Sequence, residues 1–596
     1  MVNLTGFSSK SNFLYKQEEK NNFEKDLKEI KKGLFVEIYY LEDDFIHIIK
    51  IANDVIQSKV AVLGLTENID ITKSKFSNGW NDISRRGQLF PFFYSIVTNY
   101  SFYGFNSNDI GIWIKSFFHK NDGYQMPIVV NPYRNEGNID INTETYLTRS
   151  RLLANILSIE NYRDINSKSK IKNIVLNRDG KKINKYTFLD DGNTRFSQKF
   201  KEDFIERIIK PLYEKMFTYK VRSKVFEAEY PLNENQSIES NQSLVENYLI
   251  KKLITIPIRY SLFNEYNFPK NTKIEIKDNF DLDKLDIQSY INDLCVDKSH
   301  VTLKVRQSLN FIRKNIFSIP DNSAKVTLEL KSVVEEIKVI TNNNMFTELV
   351  DYLPPPIFFS EIIFEDNSTF TQLSSGEKQQ IFSLNSIIYH LKNIDSVHKS
   401  LVKKNTLIKY NTINLLFDEI ELYFHPEFQK SYINKLLKLI ENARYENLKS
   451  INIIFLTHSP IILSDIPNQN IMYLDKGNSL KDYERPQISF GANITDLLAD
   501  NFFFRSEDKA LIGDFAKEKI TFTLEWLKSL SNEKKLKYAI RDLKTTTYHK
   551  QIIEMIDEPL VRNKLRSIFI ECFPNDEDYK SEQIARLQQE IDKLRS

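Results

Sequence analysis

Cysteine is almost missing from this chain. Its two thiols, Cys295 and Cys572, lie far apart among 596 residues and match no metal-ligand spacing. That excludes a disulfide framework or a thiolate cluster as the organising principle, and a thiol-reducing cytoplasm is the expected setting. Long apolar runs are missing too. No stretch reaches the roughly 18 residues that span a bilayer, and the opening Met1-Val2-Asn3-Leu4-Thr5-Gly6 lacks the pattern of a signal peptide, so no membrane association is expected. An excess of one charge is also absent. Lys and Arg number 82 against 80 Asp and Glu, a net +2, which gives no global pull toward nucleic acid or membrane. Nor are there three or four successive heptads, the mark of a long coiled coil. What is present is ordinary for a globular chain, 41% hydrophobic and 27% charged, with length for two to four structural units.

Three short segments between Thr371 and Pro460 organise the rest. The first is Ser374-Ser375-Gly376-Glu377-Lys378-Gln379, a small-residue turn opening an expected helix from Glu377 to Leu391. Backbone N–H groups at such a helix start can approach an anion; taken alone, the turn reads first as an ordinary Ser N-cap. The second is Asn414-Leu415-Leu416-Phe417-Asp418-Glu419. Its apolar run suits a strand buried on both faces of a parallel sheet, where ligands gather at the carboxyl ends. Asp418 is then placed to hold Mg²⁺ and Glu419 to polarise water. The third is Ile453-Ile454-Phe455-Leu456-Thr457-His458-Ser459, about forty residues on. It reads as the next buried parallel strand after a crossover helix from Glu427 to Tyr445, with His458 able to touch a γ-phosphate.

The ordered trio resembles the ATP-binding cassette ATPases, in the branch with SMC-like and RecF-like proteins. Ser374 to Gln379 looks like the signature motif, Leu415 to Glu419 like Walker B with its catalytic Glu, and His458 like the switch histidine. Asn131 to Gly137, the Leu353-Pro354-Pro355-Pro356 lead and Asn501-Phe502-Phe503-Phe504 add a looser likeness to cassette ATPases of bacterial antiphage defence, the Septu-type and retron-associated ones, which work beside a separate HNH nuclease. The resemblance implies an α/β fold of the P-loop NTPase class, a mixed sheet with an antiparallel layer. It also implies ATP and Mg²⁺ as cofactors and a homodimer that sandwiches ATP. In that setting Asp418 and Ser11 are the metal residues and Glu419 and His458 the catalytic ones. Lys10, Ser11, Ser374, Ser375, Gly376 and Glu377 are the nucleotide contacts. Nucleic acid, DNA or RNA, stands as an open partner.

The phosphate loop that this resemblance demands, GxxxxGK[ST], does not occur in the chain. The nearest stretch is Thr5-Gly6-Phe7-Ser8-Ser9-Lys10-Ser11, shorter and with Ser9 in place of the second glycine; a lesser rival joins Gly64 to Lys73-Ser74. A degenerate site, a start that has lost upstream residues and a plain tail are the three explanations. The expected organisation is residues 1–160 as the N-terminal half of the ATPase lobe, 161–355 as a mostly helical insertion, 356–505 as the C-terminal half, and 506–596 as a helical C-terminal region. Strands are expected at Phe35 to Tyr40, His47 to Ile51, Lys59 to Leu65, Tyr100 to Gly104 and Gly111 to Ile114. Asn131 to Gly137 reads as a surface loop or as a sensor with Arg134 available for phosphate. No nuclease signature follows the trio, and His549 stands alone. The leading expectation is an ATPase that senses infection and controls a separate nuclease. A dimerising scaffold without turnover and a RecF-like DNA-repair ATPase are the alternatives.

Overall fold

The computed structural model describes residues 25–574 apart from 63–78, 83–92, 159–169, 184–197, 232–239, 267–281, 343–348, 502–512, 531–542 and some shorter stretches, together with 581, 584, 585 and 588. Lys10, Ser11, Gly64, Lys73, Ser74 and the Phe502-Phe503-Phe504 run lie outside the described residues. The described chain forms two compact units, Met1–Asp465 and Ile466–Ser596. No described helix is long and apolar enough to cross a membrane.

The first unit is mixed α/β. Strands β1 (Phe35–Glu42), β2 (Phe45–Ala52), β3 (Val55–Val62) and the short β4 (Asn81–Asp82) form an antiparallel meander. The first three pair in antiparallel register, and β-branched residues at alternate positions give them a buried face centred on Ile49 and Ile56. A second sheet is parallel throughout, in the order β15 (Ser450–Leu456), β14 (Thr412–Asp418), β5 (Tyr94–Asn99), β6 (Ile128–Asn131). A third, antiparallel sheet places β9 (Ile171–Arg178) between β12 (Lys325–Glu329) and β13 (Phe358–Phe364). Two tiny hairpins complete the strands so far numbered, β7–β8 (Arg134–Asn135 with Asn138–Ile139) and β10–β11 (Tyr219–Val221 with Lys224–Phe226).

After the single helical turn Ser107–Ile110, the helices of this unit start with α1 (Ile141–Ser158). Next come α2 (Gln198–Phe204) and α3 (Lys210–Phe217), joined by the π-helical turn Ile205–Ile209. Pro211 near the start of α3 has no N–H to give and crowds the preceding turn, and the wider π turn accommodates it without a break. Then follow α4 (Asn241–Arg259), α5 (Ile287–Val296), α6 (Leu303–Arg313) and α7 (Leu330–Asn342). Last are α8 (Ser375–Val397), α9 (Pro426–Ala443) and the single turn α10 (Pro460–Leu463).

Helix α8 is the axis of the unit. It is buried nearly all round, polar residues included, as a helix packed on several sides must be. Several of its polar side chains bond to neighbours. Asn385 Nδ2 donates to the Thr148 carbonyl at 3.0 Å, Ser386 Oγ donates to Asn131 Oδ1 at 2.7 Å, and Tyr124 shares its hydroxyl with His390 Nδ1 and Asn393. These bonds fix α1 and β6 against α8.

The second unit is a helical bundle with one small hairpin, β16–β17 (Leu474–Asp475 with Asn478–Ser479). Helices α11 (Ile494–Asn501), α12 (Asp514–Leu530), α13 (Leu543–Met555) and α14 (Pro559–Cys572) follow. Leu527, Ile553 and Phe569 form the heart of the core shared by the last three. His549 belongs to this packing. It is fully buried, bonded to Thr523 at 3.0 Å and stacked on Trp526 at 4.2 Å.

Two strand expectations are corrected. Of the stretch from Tyr100 to Gly104, the described Tyr100, Ser101 and Gly104 are not in a strand; the strand is Tyr94–Asn99, just before it. Asn99 Oδ1 accepts from the Ser101 N–H, turning the chain out of the sheet. Gly111 to Ile114 opens a 3₁₀ segment, Ile112–Phe117. The strand ending at Leu456 is also not buried on both faces. Among the described residues it pairs only with β14, and Ile454 and Leu456 are 46% and 48% exposed.

Candidate nucleotide site at the carboxyl edge of the parallel sheet

The run Ile413–Phe417 forms the inner strand of its sheet because Ile413, Leu415 and Phe417 are buried to 1% exposure or less on one face. The crossover helix α9 carries the chain to β15, in parallel register Thr412↔Ser450 through Asp418↔Leu456. Asp418 and the turn after Leu456 therefore emerge side by side. Asp418 is also level with Asn99 on the other flanking strand.

Each carboxylate at this edge is held differently. Asp418 Oδ2 accepts from Asn99 Nδ2 at 2.6 Å. Asn99 in turn accepts on Oδ1 from Arg134 Nη2 at 2.8 Å. Arg134 is 1% exposed. Its guanidinium also donates to the carbonyls of Asn99, Ser101, Gly104 and Gly137 at 3.0–3.2 Å. Arg134 is thus neither on a surface loop nor available for phosphate; it anchors the loop after β5. Burial lowers its pKa, and the nearby Asp418 carboxylate opposes that shift.

Glu419 adopts φ +47°, a left-handed conformation costing a non-glycine residue about 1 kcal/mol. Its N–H donates to the Leu456 carbonyl at 2.9 Å, which locks the turn to the end of β15. Glu421, 8% exposed, ties the same two turns together. Its Oε1 accepts from Thr457 Oγ1 and from the His458 N–H. Its Oε2 is buried without a hydrogen-bond partner among the described residues. The His458 imidazole is exposed at this turn. Ser459 caps α10 and donates to Gln429 on α9.

The small-residue turn sits at the start of α8. Ser374 is the N-cap of a complete capping box: its Oγ accepts from the Glu377 N–H, and its N–H donates to the Glu377 carboxylate at 2.9 Å. Ser374 and Ser375 are exposed, and Gly376 is buried. A Cβ on Gly376 would meet the Phe428 ring and the Tyr423 carbonyl at 3.2 Å, so only glycine lets α8 lie this close to the segment that follows Glu419.

The structure therefore brings Asp418, Glu419 and His458 to one edge and packs Gly376 against the loop leading from it. Asn99, Glu421 and Thr457 are supporting residues that sequence patterns missed, and Arg134 supports the edge instead of meeting phosphate. No described group of three or more His, Cys, Asp or Glu could enclose a metal ion. The donors present suit Mg²⁺, which takes one or two carboxylates and completes its shell with phosphate oxygens and water.

No family model matches the chain. It is 25% identical over 250 residues to the Retron Ec83 probable ATPase of Escherichia coli, covering 39% of this chain and 41% of that protein. It is 25% identical over 230 residues to the Retron Vc95 probable ATPase of Vibrio cholerae, covering 38% and 40%. A longer match, 23% identical over 499 residues, is to a phenylalanine–tRNA ligase beta subunit of Mycoplasma mycoides, covering 75% of this chain and 60% of that protein. The chain spans less than two thirds of each of these relatives.

Proposed function

We propose that this protein is a cassette-type P-loop ATPase subunit of a retron-like antiphage defence system, working as a dimer that controls a separate nuclease. The observation that carries this reading is the pairing of the Asp418–Glu419 and Thr457–His458 turns on adjacent parallel strands, bound to each other through Glu419 and Glu421. The two retron relatives, each named a probable ATPase, support the same chemistry. The ligase subunit does not guide the reading, which rests on the ordered trio of motifs and the parallel sheet that presents two of them.

In this reading Asp418 is the metal-side carboxylate, pre-oriented by Asn99. Glu419 is the general base that takes a proton from the attacking water, and His458 faces the terminal phosphate. Lys10 would hold the phosphates and Ser11 the metal. Ser374, Ser375, Gly376 and Glu377 present the helix start of α8 to the nucleotide of the partner protomer. Bound, Mg-ATP supplies the transferable phosphoryl group and its charge neutralisation, and the chain's task is positioning. The nuclease subunit and any bound DNA or RNA belong to this proposal.

The test is ATP turnover by Glu419→Gln. Removing a general base lowers turnover by about a hundredfold or more, while ATP stays bound and the dimer stays closed. Wild-type turnover in this variant would remove Glu419 from the chemistry. The absence of GxxxxGK[ST] favours one other reading, a dimerising scaffold. Nucleotide binding to the wild-type protein separates the two, since a scaffold retains its partner without binding ATP.

A further inference from the structure

A second polar site lies in the first unit, apart from the sheet edge. It is a cavity of about 250 Å³ walled by α1, the turn before α6, the last third of α8 and the turn after α9. Five of its side chains are cationic, Lys298, Arg306, Lys392, Lys399 and Arg444, against two carboxylates, Asp395 and Glu446. The whole chain carries only +2, so this wall concentrates positive charge.

The carboxylates are already engaged. Asp395 accepts the N–H groups of Glu446 and Asn447, at 3.3 and 2.7 Å. Glu446 pairs with Lys399 at 3.2 Å. Arg306 is engaged as well, with two bonds to Asp351 and others to the Asp297–Thr302 turn. By contrast, the Lys298 ammonium and the Arg444 guanidinium make no hydrogen bond or ion pair among the described residues. Burial, and then Arg306, lower the Lys298 pKa, while Asp351, Cys295 and Asp297 oppose the shift.

Helix dipoles do not account for the excess. The C-terminal ends of α8 and α9 both point here, and each carries about −0.5 charge, partly offset by the start of α6. Two of the five cations, Lys298 and Arg444, are left without a bonded countercharge. Arg444 adds a second, independent sign. It has φ +46° just past the end of α9, where glycine or asparagine is the easy choice. An arginine there strains the backbone and sends a free cation to the cavity.

We propose that this cavity is a binding site for a small phosphorylated molecule of up to mononucleotide size, its phosphate gripped by Lys298 and Arg444. The volume sits just below the roughly 300–1,000 Å³ of small-molecule sites, too small for a polymer strand. His300 and Tyr389 add ring surface for the body of the ligand.

Full-length protein is titrated by calorimetry with inorganic phosphate, ribose 5-phosphate and 5′-AMP. At least one binds wild type. Arg444→Gly weakens it by about tenfold or more with no loss of thermal stability, because glycine relieves the positive φ. Lys298→Ala weakens it likewise, while Asp418→Asn leaves it unchanged. Which probe binds tightest separates a free phosphate site from one for sugar phosphates or nucleotides. Three outcomes overturn the proposal: none of the probes binding wild type up to about 10 mM; binding lost in Asp418→Asn but kept in Arg444→Gly; or a single-stranded oligonucleotide alone losing affinity in Arg444→Gly.

Discussion

The two polar sites of the first unit are built on opposite plans. At the sheet edge the key polar groups are chained to one another: Arg134 holds Asn99, Asn99 holds Asp418, and Glu421 holds the His458 turn. In the cavity the carboxylates are used up and cations are left over. Helix α8 contributes to both, its first turn beside the loop from the sheet edge and its last turns in the cavity wall, about 33 Å apart for 23 residues. The difference separates two ways of making a site. One fixes geometry by internal bonds, as positioning chemistry requires. The other keeps unmatched charge for something not yet present.

If the edge is internally locked, cutting its lock is costly. Arg134→Met removes a buried guanidinium that donates five hydrogen bonds and strands their acceptors. Urea denaturation is expected to show a loss of about 3 kcal/mol. Lys298→Ala, by contrast, removes only an unmatched charge and is expected to be near neutral. A loss below about 1 kcal/mol for Arg134→Met would erase the contrast between the sites. A smaller effect is expected at the exposed end of α8. Ser374→Ala deletes the capping box and costs about 1 kcal/mol by the same measurement. A null result there would mean that the tertiary contacts of Gly376 alone hold the helix start.

The same contrast explains what could be read from the sequence. Strand β14, the crossover helix α9 and strand β15 were legible because each is a contiguous apolar or amphipathic run. The helix start at Ser375 was legible because a capping box is local. Strand β5 was not, because Ser95, Thr98 and Asn99 interrupt its apolar residues, and all three are buried by tertiary packing. Arg134 reads as a loop cation; only the fold folds it back on a strand end about 35 residues earlier. The open face of β15 was missed because its run is apolar throughout, while its burial alternates. The cavity was illegible for a stronger reason: its cations come from three distant segments, and no single window carries the charge excess.

The last expected effect concerns pH and sharpens the comparison at the cavity wall. His300 is lowered to about 3, by burial first and then by Lys252 and Arg306. Tyr124 packs edge-on at 4.9 Å, and His390, lowered for the same main reason, lies beyond it. An unfolded histidine takes its proton near 6.5. The folded state refuses that proton until about pH 3. Its contribution to stability is therefore complete above pH 6.5 and declines as pH falls through that window, by at most about 1.4 kcal/mol per pH unit. His300→Gln is expected to flatten the fall in urea midpoint between pH 6.5 and 5 without abolishing it, because His390 still contributes. Phosphate in the cavity stabilises the imidazolium and flattens the same slope in wild type. If His300→Gln leaves the slope untouched, the cavity wall already carries enough countercharge, and the contrast with the sheet edge fails on its electrostatic side.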